Sequence, residues 1–354
     1  MKQIKLNENL YLQAYEDGII IHLPDDELLK IEEKTLLIDI LYEIKKSGSQ
    51  GKEEIYNKIS FSHDISESEF DDIFQILIEH NVIKFKTEFT HSLSDKELMK
   101  FDRQIKSFAT LKGNNVDDAI RFQEKIKNSN VGVLGVGGVG TYVAYGLTSM
   151  GIGKLTLIDH DHIELSNTSR QMLYNEEDIG KQKLDIARQK LKYVNPLTEI
   201  ITVNKRIIHS NDLEPHLDQL DILILCADTP RGKIVYIVDE ACQNKKCPFI
   251  FGLPSFNQIT CGPLIIPNQT RSYKNIFPLN SEIEDTNISD SEKEKTDLIN
   301  SGLVATIIDP YNAIAGKLVA LETIKFLTGF LPCQLIDRVF NFDTNTLSSC
   351  ITEV

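Results

Sequence analysis

Residues 133–171 read VLGVGGVGTYVAYGLTSMGIGKLTLIDHDHIELSNTSRQ, and this stretch predicts the fold of the larger part of the chain. The apolar run at 131–134 is typical of a buried parallel strand, and a second one at 154–158 follows a helical stretch. The first run leads into a turn with four glycines, Gly135, Gly137, Gly138 and Gly140. Strand, glycine turn, helix and strand predict a nucleotide-binding βαβ unit. In such a unit the glycines let the backbone approach phosphate oxygens, and the helix N-terminus points free N–H groups at them.

The acidic residue at the end of the second strand indicates a nucleotide ligand but does not identify which nucleotide. Asp159 follows the strand, at a place where a carboxylate can accept hydrogen bonds from both hydroxyls of a ribose. By itself this arrangement fits NAD, FAD or ATP.

The residues after Asp159 favour a triphosphate. They form a D-x-x-E-x-x-N-x-x-R-Q string made of Asp161, Glu164, Asn167, Arg170 and Gln171. A dehydrogenase has no need of this arginine, whereas a planar guanidinium binds phosphate oxygens in bidentate fashion. Asn167 could bind phosphate or the loop backbone, and ligand contact is the favoured interpretation. His160 and His162 are interpreted as solvated loop side chains rather than as metal ligands.

Together with three further motifs, this string resembles the E1-like adenylating superfamily, which includes the ThiF, MoeB and MccB enzymes. The motifs are Asp178-Ile-Gly-Lys-Gln-Lys183, Cys226-Ala-Asp228 after an apolar strand, and Asp102-Arg103-Gln104. The resemblance covers roughly residues 100–345 and implies an ATP-dependent enzyme with a Rossmann-like fold. It implies that Lys183 binds phosphate and that Asp228 binds Mg²⁺. It also implies that Arg103 reaches the ATP phosphates of the partner subunit in a homodimer.

Taken singly, these residues have ordinary structural explanations. A lone Arg170 suits a surface ion pair, a lone Lys183 a solvated helix position, and a lone Asp228 a helix cap. Their joint spacing within one family pattern favours function instead. The predicted catalytic residues are Arg103, Arg170, Lys183 and Asp228. The predicted ATP-binding residues are Gly135, Gly137, Gly138, Gly140, Asp159, Asp161, Asn167, Arg170, Gln171 and Lys183.

Length and composition exclude several classes of protein. The chain has 354 residues, of which 41% are hydrophobic, so most of it is expected to be globular. Its net charge of -14 argues against a general nucleic-acid binder, which needs a basic face. It contains no apolar run long enough to span a membrane, and its polar N-terminus does not resemble a signal peptide. A cytoplasmic protein with no membrane or nucleic-acid partner is therefore expected.

The six cysteines form no C-x-x-C pair. Many E1-like enzymes hold a structural zinc ion with two such pairs, the first of which follows a G-P-L-x-x-P segment. Here residues 262–267 read GPLIIP, but Ser272 and Asn275 stand where the thiols would be. No structural zinc is therefore expected. A thioester relay is not expected either, because no cysteine lies between Cys261 and Cys333.

Residues 1–86 predict a separate module. Two strand-like runs are joined by Asp17-Gly18, a strong hairpin signal, and three helical stretches and a closing strand follow. The third helix begins at a capping box formed by Ser66 and Glu69. This order resembles the winged-helix recognition modules of enzymes that modify ribosomally made peptides. Such modules bind a leader peptide as an added strand at the hairpin edge. A domain that serves only dimerisation is the alternative.

The remaining chain predicts a linker and one large domain. Residues 87–130 are expected to form a linker and a helix that carries Arg103. Residues 131–354 are expected to form the ATP-binding adenylation domain, an α/β fold with a mostly parallel sheet. An acidic stretch at about 273–300 is expected to be a mobile loop over the site. Residues 313–327 predict an apolar helix that supports the sheet and a dimer contact.

The resemblance and the module together favour a homodimeric peptide-modifying enzyme. It would hold a precursor peptide on residues 1–86 and use ATP and Mg²⁺ to adenylate a C-terminal or glutamate carboxylate. Cyclisation, or formation of an amide or phosphoramidate, would follow on the way to a peptide antibiotic. Three alternatives remain open: activation of a carrier protein's C-terminus as in ThiF and MoeB, an NAD-dependent oxidoreductase, and a non-catalytic binding subunit.

Overall fold

The protein is described here from a computed structural model, which covers residues 4–7, 10–16, 18–23, 28–32, 34–47, 51–85, 89–111, 115–255, 257–278 and 307–354. The chain divides into two compact units, Met1–Glu124 and Lys125–Val354.

The N-terminal unit combines short strands with helices. Its described strands are β1 (Ile4–Leu6), β2 (Tyr11–Tyr15), β3 (Gly18–His22), β4 (Leu28–Ile31) and β5 (Ile83–Phe85). Its described helices are α1 (Lys34–Ser47), α2 (Lys52–Ser62), α3 (Glu67–Glu79), α4 (Asp95–Lys100), α5 (Asp102–Ala109) and α6 (Val116–Asn128), the last of which runs on into the second unit. Strands β2, β3 and β4 form an antiparallel sheet in that order, and β1 pairs with β5.

The predicted local structure of residues 1–86 is confirmed where the structure describes it. Strands β2 and β3 form the hairpin, with Tyr15 opposite Gly18. A side chain at Gly18 would not fit, because its Cβ would lie 2.4 Å from the carbonyl oxygen of Ile31. The capping box at α3 is present: Ser66 Oγ accepts from Glu69 N, and Glu69 accepts from Ser66 N. Apolar side chains from α1, α2, α3 and the strands form one buried core.

The C-terminal unit is built on one large sheet. Its described strands are β6 (Asn130–Leu134), β7 (Lys154–Asp159), β8 (Glu199–Asn204), β9 (Ile222–Leu225), β10 (Phe249–Pro254), β11 (Gln258–Cys261), β12 (Arg338–Asp343) and β13 (Ser348–Glu353). Its described helices are α7 (Gly138–Met150), α8 (Lys183–Val194), α9 (Ser210–Leu213), α10 (Ile234–Lys245), α11 (Tyr273–Ile276) and α12 (Asp309–Thr328).

The order of the strands indicates where a sheet of this kind binds a ligand. The order is β13-β12-β11-β10-β9-β6-β7-β8. Strands β10, β9, β6, β7 and β8 are parallel, and β11, β12 and β13 add antiparallel. The predicted α/β fold with a mostly parallel sheet is confirmed. Because the chain runs from β6 outward to β8 and then returns to β9 on the other side of β6, the order reverses beside β6. Ligands of open α/β sheets bind at such a point, outside the carboxyl ends of the strands.

Helix α12 supports the sheet, as predicted for residues 313–327. It packs against α7, β10 and β11. The predicted mobile loop at about 273–300 is described only at its start, where α11 forms, and residues 279–306 lie outside the described residues. Within the described ranges, no helix combines the length and the apolar character that crossing a membrane requires.

Candidate nucleotide-binding site

The glycine loop between β6 and α7 is closed too tightly for other residues. Gly135 has φ of +90°, and a Cβ there would lie 2.6 Å from the backbone nitrogen of Ala227. A Cβ on Gly140 would lie 1.9 Å from the carbonyl oxygen of Gly135. The predicted loop therefore lies directly against the segment that follows β9. The N–H groups of the first turn of α7, which starts at Gly138, have no intrahelical acceptor and can bind an anion.

Asp159 holds this loop in place. Its Oδ2 accepts a hydrogen bond from the backbone nitrogen of Val136 at 2.6 Å. Its Oδ1 accepts from the backbone nitrogens of His160 at 2.6 Å and Asp161 at 2.8 Å. The carboxylate is buried. Both oxygens thus bind backbone donors, and little of the carboxylate surface faces solvent.

Asp161 and Lys183 form an ion pair beside the loop. Lys183 Nζ lies 2.9 Å from Asp161 Oδ2, and the lysine is buried at the first turn of α8. Burial raises the pKa of Asp161, but the hydrogen bond and charge of Lys183, with smaller effects from His160 and Arg206, leave it below its usual range. The carboxylate is about half exposed, at 51%. It is therefore ionised at neutral pH and open to solvent on one side.

Asp178, at the start of the D-x-G-x-x-K motif, serves the structure of this segment. It is buried, and it accepts from Lys190 Nζ at 2.5 Å, from Lys181 Nζ at 3.3 Å and from the backbone nitrogen of Asn175 at 3.2 Å. These bonds fix the turn that leads into α8, and so they fix the position of Lys183.

The asparagine, arginine and glutamine of the predicted string lie on one turn. Asn167 is buried, and its Oδ1 accepts from the backbone nitrogen of Glu164 at 3.1 Å. Arg170 Nη1 donates to the carbonyl oxygen of Ser166 at 2.6 Å. Gln171 reaches the glycine loop: a Cβ on Gly137 would lie 3.7 Å from its Nε2. The buried Oε1 of Gln171 has no hydrogen-bond partner among the described residues.

Asp228 lies just beyond the carboxyl end of β9, next to the glycine loop. It follows Cys226 and Ala227, whose backbone contacts Gly135. Its side chain is exposed, and no ion pair of Asp228 occurs in the part of the chain that the structure describes. The residue is therefore free to bind a cation.

A cluster of two aspartates and a histidine lies in the same site, but it is less suited to binding a cation than Asp228 is. Ligand atoms of Asp159, His160 and Asp161 lie within 4.8 Å of one another. However, the oxygens of Asp159 already bind backbone N–H groups, and Asp161 pairs with Lys183. Since Mg²⁺ prefers carboxylate, phosphate and water oxygens, the carboxylate of Asp228 is the better ligand.

Asn312 on α12 is a residue of this site that the sequence analysis did not predict. Its side chain is buried, and a Cβ on Gly138 would lie 2.7 Å from its Oδ1 and 2.8 Å from its Nδ2. Nδ2 has no acceptor among the described residues. The sequence gives no clear signal for it, because Asn312 is one of several polar residues along this helix, with Lys317 and Glu322 among the others.

The cysteines near the loop are neutral thiols. Burial raises the pKa of Cys226 well above its usual value and that of Cys261 to about 12. A neutral thiol is a poor nucleophile, so neither suits an acyl-transfer role. Ser272, at a predicted former zinc position, caps α11 by accepting from the backbone nitrogen of Asn275.

Arg103 belongs to the N-terminal unit. It lies in the first turn of α5, where its side chain is 93% exposed and its Nε is 3.8 Å from Asp102 Oδ2. Such a weakly held guanidinium can bind another molecule.

Comparison with known proteins agrees with these features. Residues 101–354 match the ThiF family. The chain belongs to the ThiF family. It is 28% identical over 247 residues to the sulfur carrier protein ThiS adenylyltransferase of Escherichia coli, an alignment that covers 67% of this chain and 84% of that protein. It is 29% identical over 240 residues to the molybdopterin-synthase adenylyltransferase of the same organism, covering 67% and 85%.

Solved structures match the ThiF-family chain over almost its whole length. E. coli MccB bound to MccA-N7isoASN has a TM-score of 0.72 at 23% identity and covers 99% of this chain and 96% of that one. PaaA has a TM-score of 0.76 at 23% identity and covers 98% and 99%. At this identity the matches establish a shared fold. With its family membership and its adenylyltransferase relatives, the chain is an ATP-dependent adenylating enzyme.

Proposed function

We propose that this enzyme adenylates a carboxylate of a ribosomally made precursor peptide, which its N-terminal unit holds. The observation that carries the proposal is the extent of the structural match. The adenylyltransferase relatives align with about two thirds of the chain, whereas MccB matches 99% of it, including the N-terminal unit. MccB has also been solved with ATP and, separately, in complex with N-formylated MccA.

The proposed reaction is attack of a carboxylate oxygen on the α-phosphorus of ATP. A new P–O bond to the carboxylate forms, the bond to the bridging α,β-oxygen breaks, and pyrophosphate leaves. The carboxylate is already ionised, so no base is needed, and catalysis depends on positioning and charge stabilisation. The N-terminus of α7 would bind phosphate, and Lys183 and Arg170 would stabilise negative charge on it. For Lys183 this requires exchanging part of its pairing with Asp161 for a phosphate oxygen.

Two carboxylates would have separate tasks in nucleotide binding. Asp159 was predicted to bind the ribose, but both of its oxygens hold backbone N–H groups of the loop and of its own turn. Asp161 is exposed on one side and ionised, so we assign ribose contact to Asp161 and support of the loop to Asp159.

Asp228 would hold Mg²⁺, because it is an exposed carboxylate beside the phosphate-binding loop. When bound there, the ion would supply charge neutralisation for the leaving pyrophosphate.

Arg103 would act on the nucleotide of the partner subunit in a homodimer. Its exposed guanidinium, with one weak internal ion pair, supports this role.

The peptide would bind along an outer strand of the sheet β2-β3-β4. Both outer strands offer backbone N–H and C=O groups to an added strand. All five residues of β2 are exposed, and Tyr11 and Leu12 among them would contact side chains of the peptide.

Carrier-protein activation is the second candidate, and the sequence relatives favour it. One relative is named for the sulfur carrier protein ThiS, and the other is named for molybdopterin synthase. Under this alternative the outer strands of the N-terminal unit would have no role in substrate binding. An NAD-dependent oxidoreductase has no support from the family or its relatives.

The decisive experiment follows AMP, ADP and pyrophosphate release from Mg-ATP, with a short peptide encoded beside the gene and with small sulfur-carrier proteins. Peptide-dependent AMP and pyrophosphate, reduced at least about 100-fold in Asp228→Ala, are expected. Asp218→Ala, which removes an exposed aspartate that pairs with Lys245, serves as the control and should keep full activity. Release with a carrier protein alone would establish the second candidate, and ADP in place of AMP would contradict adenylation.

A further inference from the structure

The Nδ2 atom of Asn312 is a buried, unpaired donor beside the first turn of α7. The residue is 2% exposed, and no described residue accepts a hydrogen bond from its Nδ2. Buried amide groups are nearly always hydrogen-bonded, because leaving one unpaired costs free energy. An asparagine at this position therefore needs a reason other than the stability of the ligand-free protein.

Rigid packing holds this amide against the first turn of α7. The hydroxyl of Tyr142 on α7 donates to Asp309 Oδ1 at the start of α12. About two turns further on, the helices approach so closely that a Cβ on Gly316 would lie 2.7 Å from the Cβ of Tyr142 and 2.9 Å from the carbonyl oxygen of Val139. Asn312 lies between these two contacts along α12. Its amide is thus positioned by two packed helices rather than by a loop.

The amide lies where the loop presents its own donors. A Cβ on Gly138, the first residue of α7, would lie 2.8 Å from Asn312 Nδ2. A second buried amide approaches the neighbouring glycine: the Oε1 of Gln171 has no described partner, and its Nε2 lies 3.7 Å from a Cβ built on Gly137. Two amides from different segments thus lie beside the first turn of α7, but the unpaired donor is Asn312 Nδ2, since the unpaired atom of Gln171 is an acceptor.

We infer that Asn312 Nδ2 donates a hydrogen bond to a non-bridging phosphate oxygen of bound ATP at the N-terminus of α7. The phosphate oxygen would supply the acceptor that the protein lacks, and the amide would add a donor from α12 to those of the glycine loop. This assignment rests on the proposed binding of ATP at the glycine loop. It makes α12 part of the nucleotide site as well as a support for the sheet.

The test compares Asn312→Ala and Asn312→Asp with wild type. Asn345→Asp, in an exposed turn, is the control for the added charge. Affinities for Mg²⁺-α,β-methylene-ATP and for adenosine, and the ligand-free Tm, are measured for the purified full chain. Asn312→Ala should bind the ATP analogue about 10- to 100-fold more weakly, because a hydrogen bond to a charged acceptor is lost. Asn312→Asp should bind it more weakly still, since a carboxylate repels phosphate. Adenosine affinity should stay unchanged in both variants.

The ligand-free Tm separates this role from a structural one. Because Nδ2 has no described partner, Asn312→Ala should leave the Tm unchanged or raise it. Unchanged affinity for the ATP analogue in Asn312→Ala would overturn the inference. A lower Tm with an equal loss of adenosine binding would also overturn it, in favour of a packing role. If the wild-type protein does not bind the analogue at all, the proposed binding of ATP at the glycine loop is wrong. That result differs from the two results for Asn312→Ala, which contradict only the role of Asn312.

Discussion

Neighbouring carboxylates in the nucleotide site differ in what they bind. Asp159 uses its oxygens on backbone N–H groups, whereas Asp161 pairs with Lys183 and stays half exposed. The sequence places both after one strand but does not distinguish them. The difference arises because the glycine loop after β6 brings Val136 N to Asp159 at the end of β7, a contact between segments that are distant in sequence.

Substitution of Asp178 tests whether this residue of the D-x-G-x-x-K motif stabilises the fold. Burial raises its pKa, but bonds from Lys190, Asn175 and Lys181 outweigh this and hold the pKa below its usual value. A carboxyl group with a lowered pKa stabilises the fold above its ordinary pKa, and this stabilisation is lost as the pH falls through the lower folded-state pKa. Asp178→Asn should therefore lower the free energy of unfolding by about 1–3 kcal/mol at pH 7 and weaken its dependence on pH below about 4.

Urea unfolding at several pH values measures this effect. Glu177→Gln, which removes the exposed neighbouring acid, should change stability by less than about 0.5 kcal/mol. Equal stability of Asp178→Asn and wild type at pH 7 would contradict the structural role.

At the scale of elements, the sheet β2-β3-β4 decides whether the N-terminal unit binds a strand. Tyr15 and Gly18 pair at the end of the hairpin, and two residues separate them in the sequence. Such a closing pair is hydrogen-bonded, and paired positions alternate along the strands, so the N–H groups of Leu12 and Ala14 point to the open side of β2. By the same alternation, the N–H groups of Leu28 and Lys30 point to the open side of β4. Each outer strand can thus lose an outward donor without losing a bond to β3.

Proline substitutions test the two edges. Ala14→Pro removes an outward N–H from β2, and peptide affinity is expected to fall about 10-fold or more if the peptide adds at the hairpin edge, as the sequence predicts. Lys30→Pro makes the matched change on β4. Fluorescence anisotropy of a labelled precursor peptide measures both. Loss in Lys30→Pro alone would move the peptide to β4, and full binding in both variants would contradict strand addition.

At the scale of the whole molecule, the remaining question is whether one active site uses two chains. Arg103 lies in the N-terminal unit and Asp228 in the C-terminal unit. If Arg103 acts on the partner's nucleotide, Arg103→Ala and Asp228→Ala each inactivate both sites of a homodimer, but a mixed dimer retains one intact site.

Co-expression of the two variants with different tags tests this arrangement. Random mixing should restore about one quarter of wild-type adenylation, because about half of the dimers are mixed and each has one intact site. Each variant alone should stay nearly inactive. No recovery in the purified mixed dimer would show that both residues act within one chain.

The sequence by itself determined the βαβ unit, the hairpin, the capping box and the family. These features depend on residues that are close along the chain, such as Ser66 and Glu69, or on the joint spacing of motifs. Only the tertiary structure decided the order of the strands, the support of the loop by Asp159 and the place of Asn312 beside Gly138. Those features depend on packing between distant segments. The hydrophobic periodicity of one segment predicts its secondary structure but not the segment against which it packs.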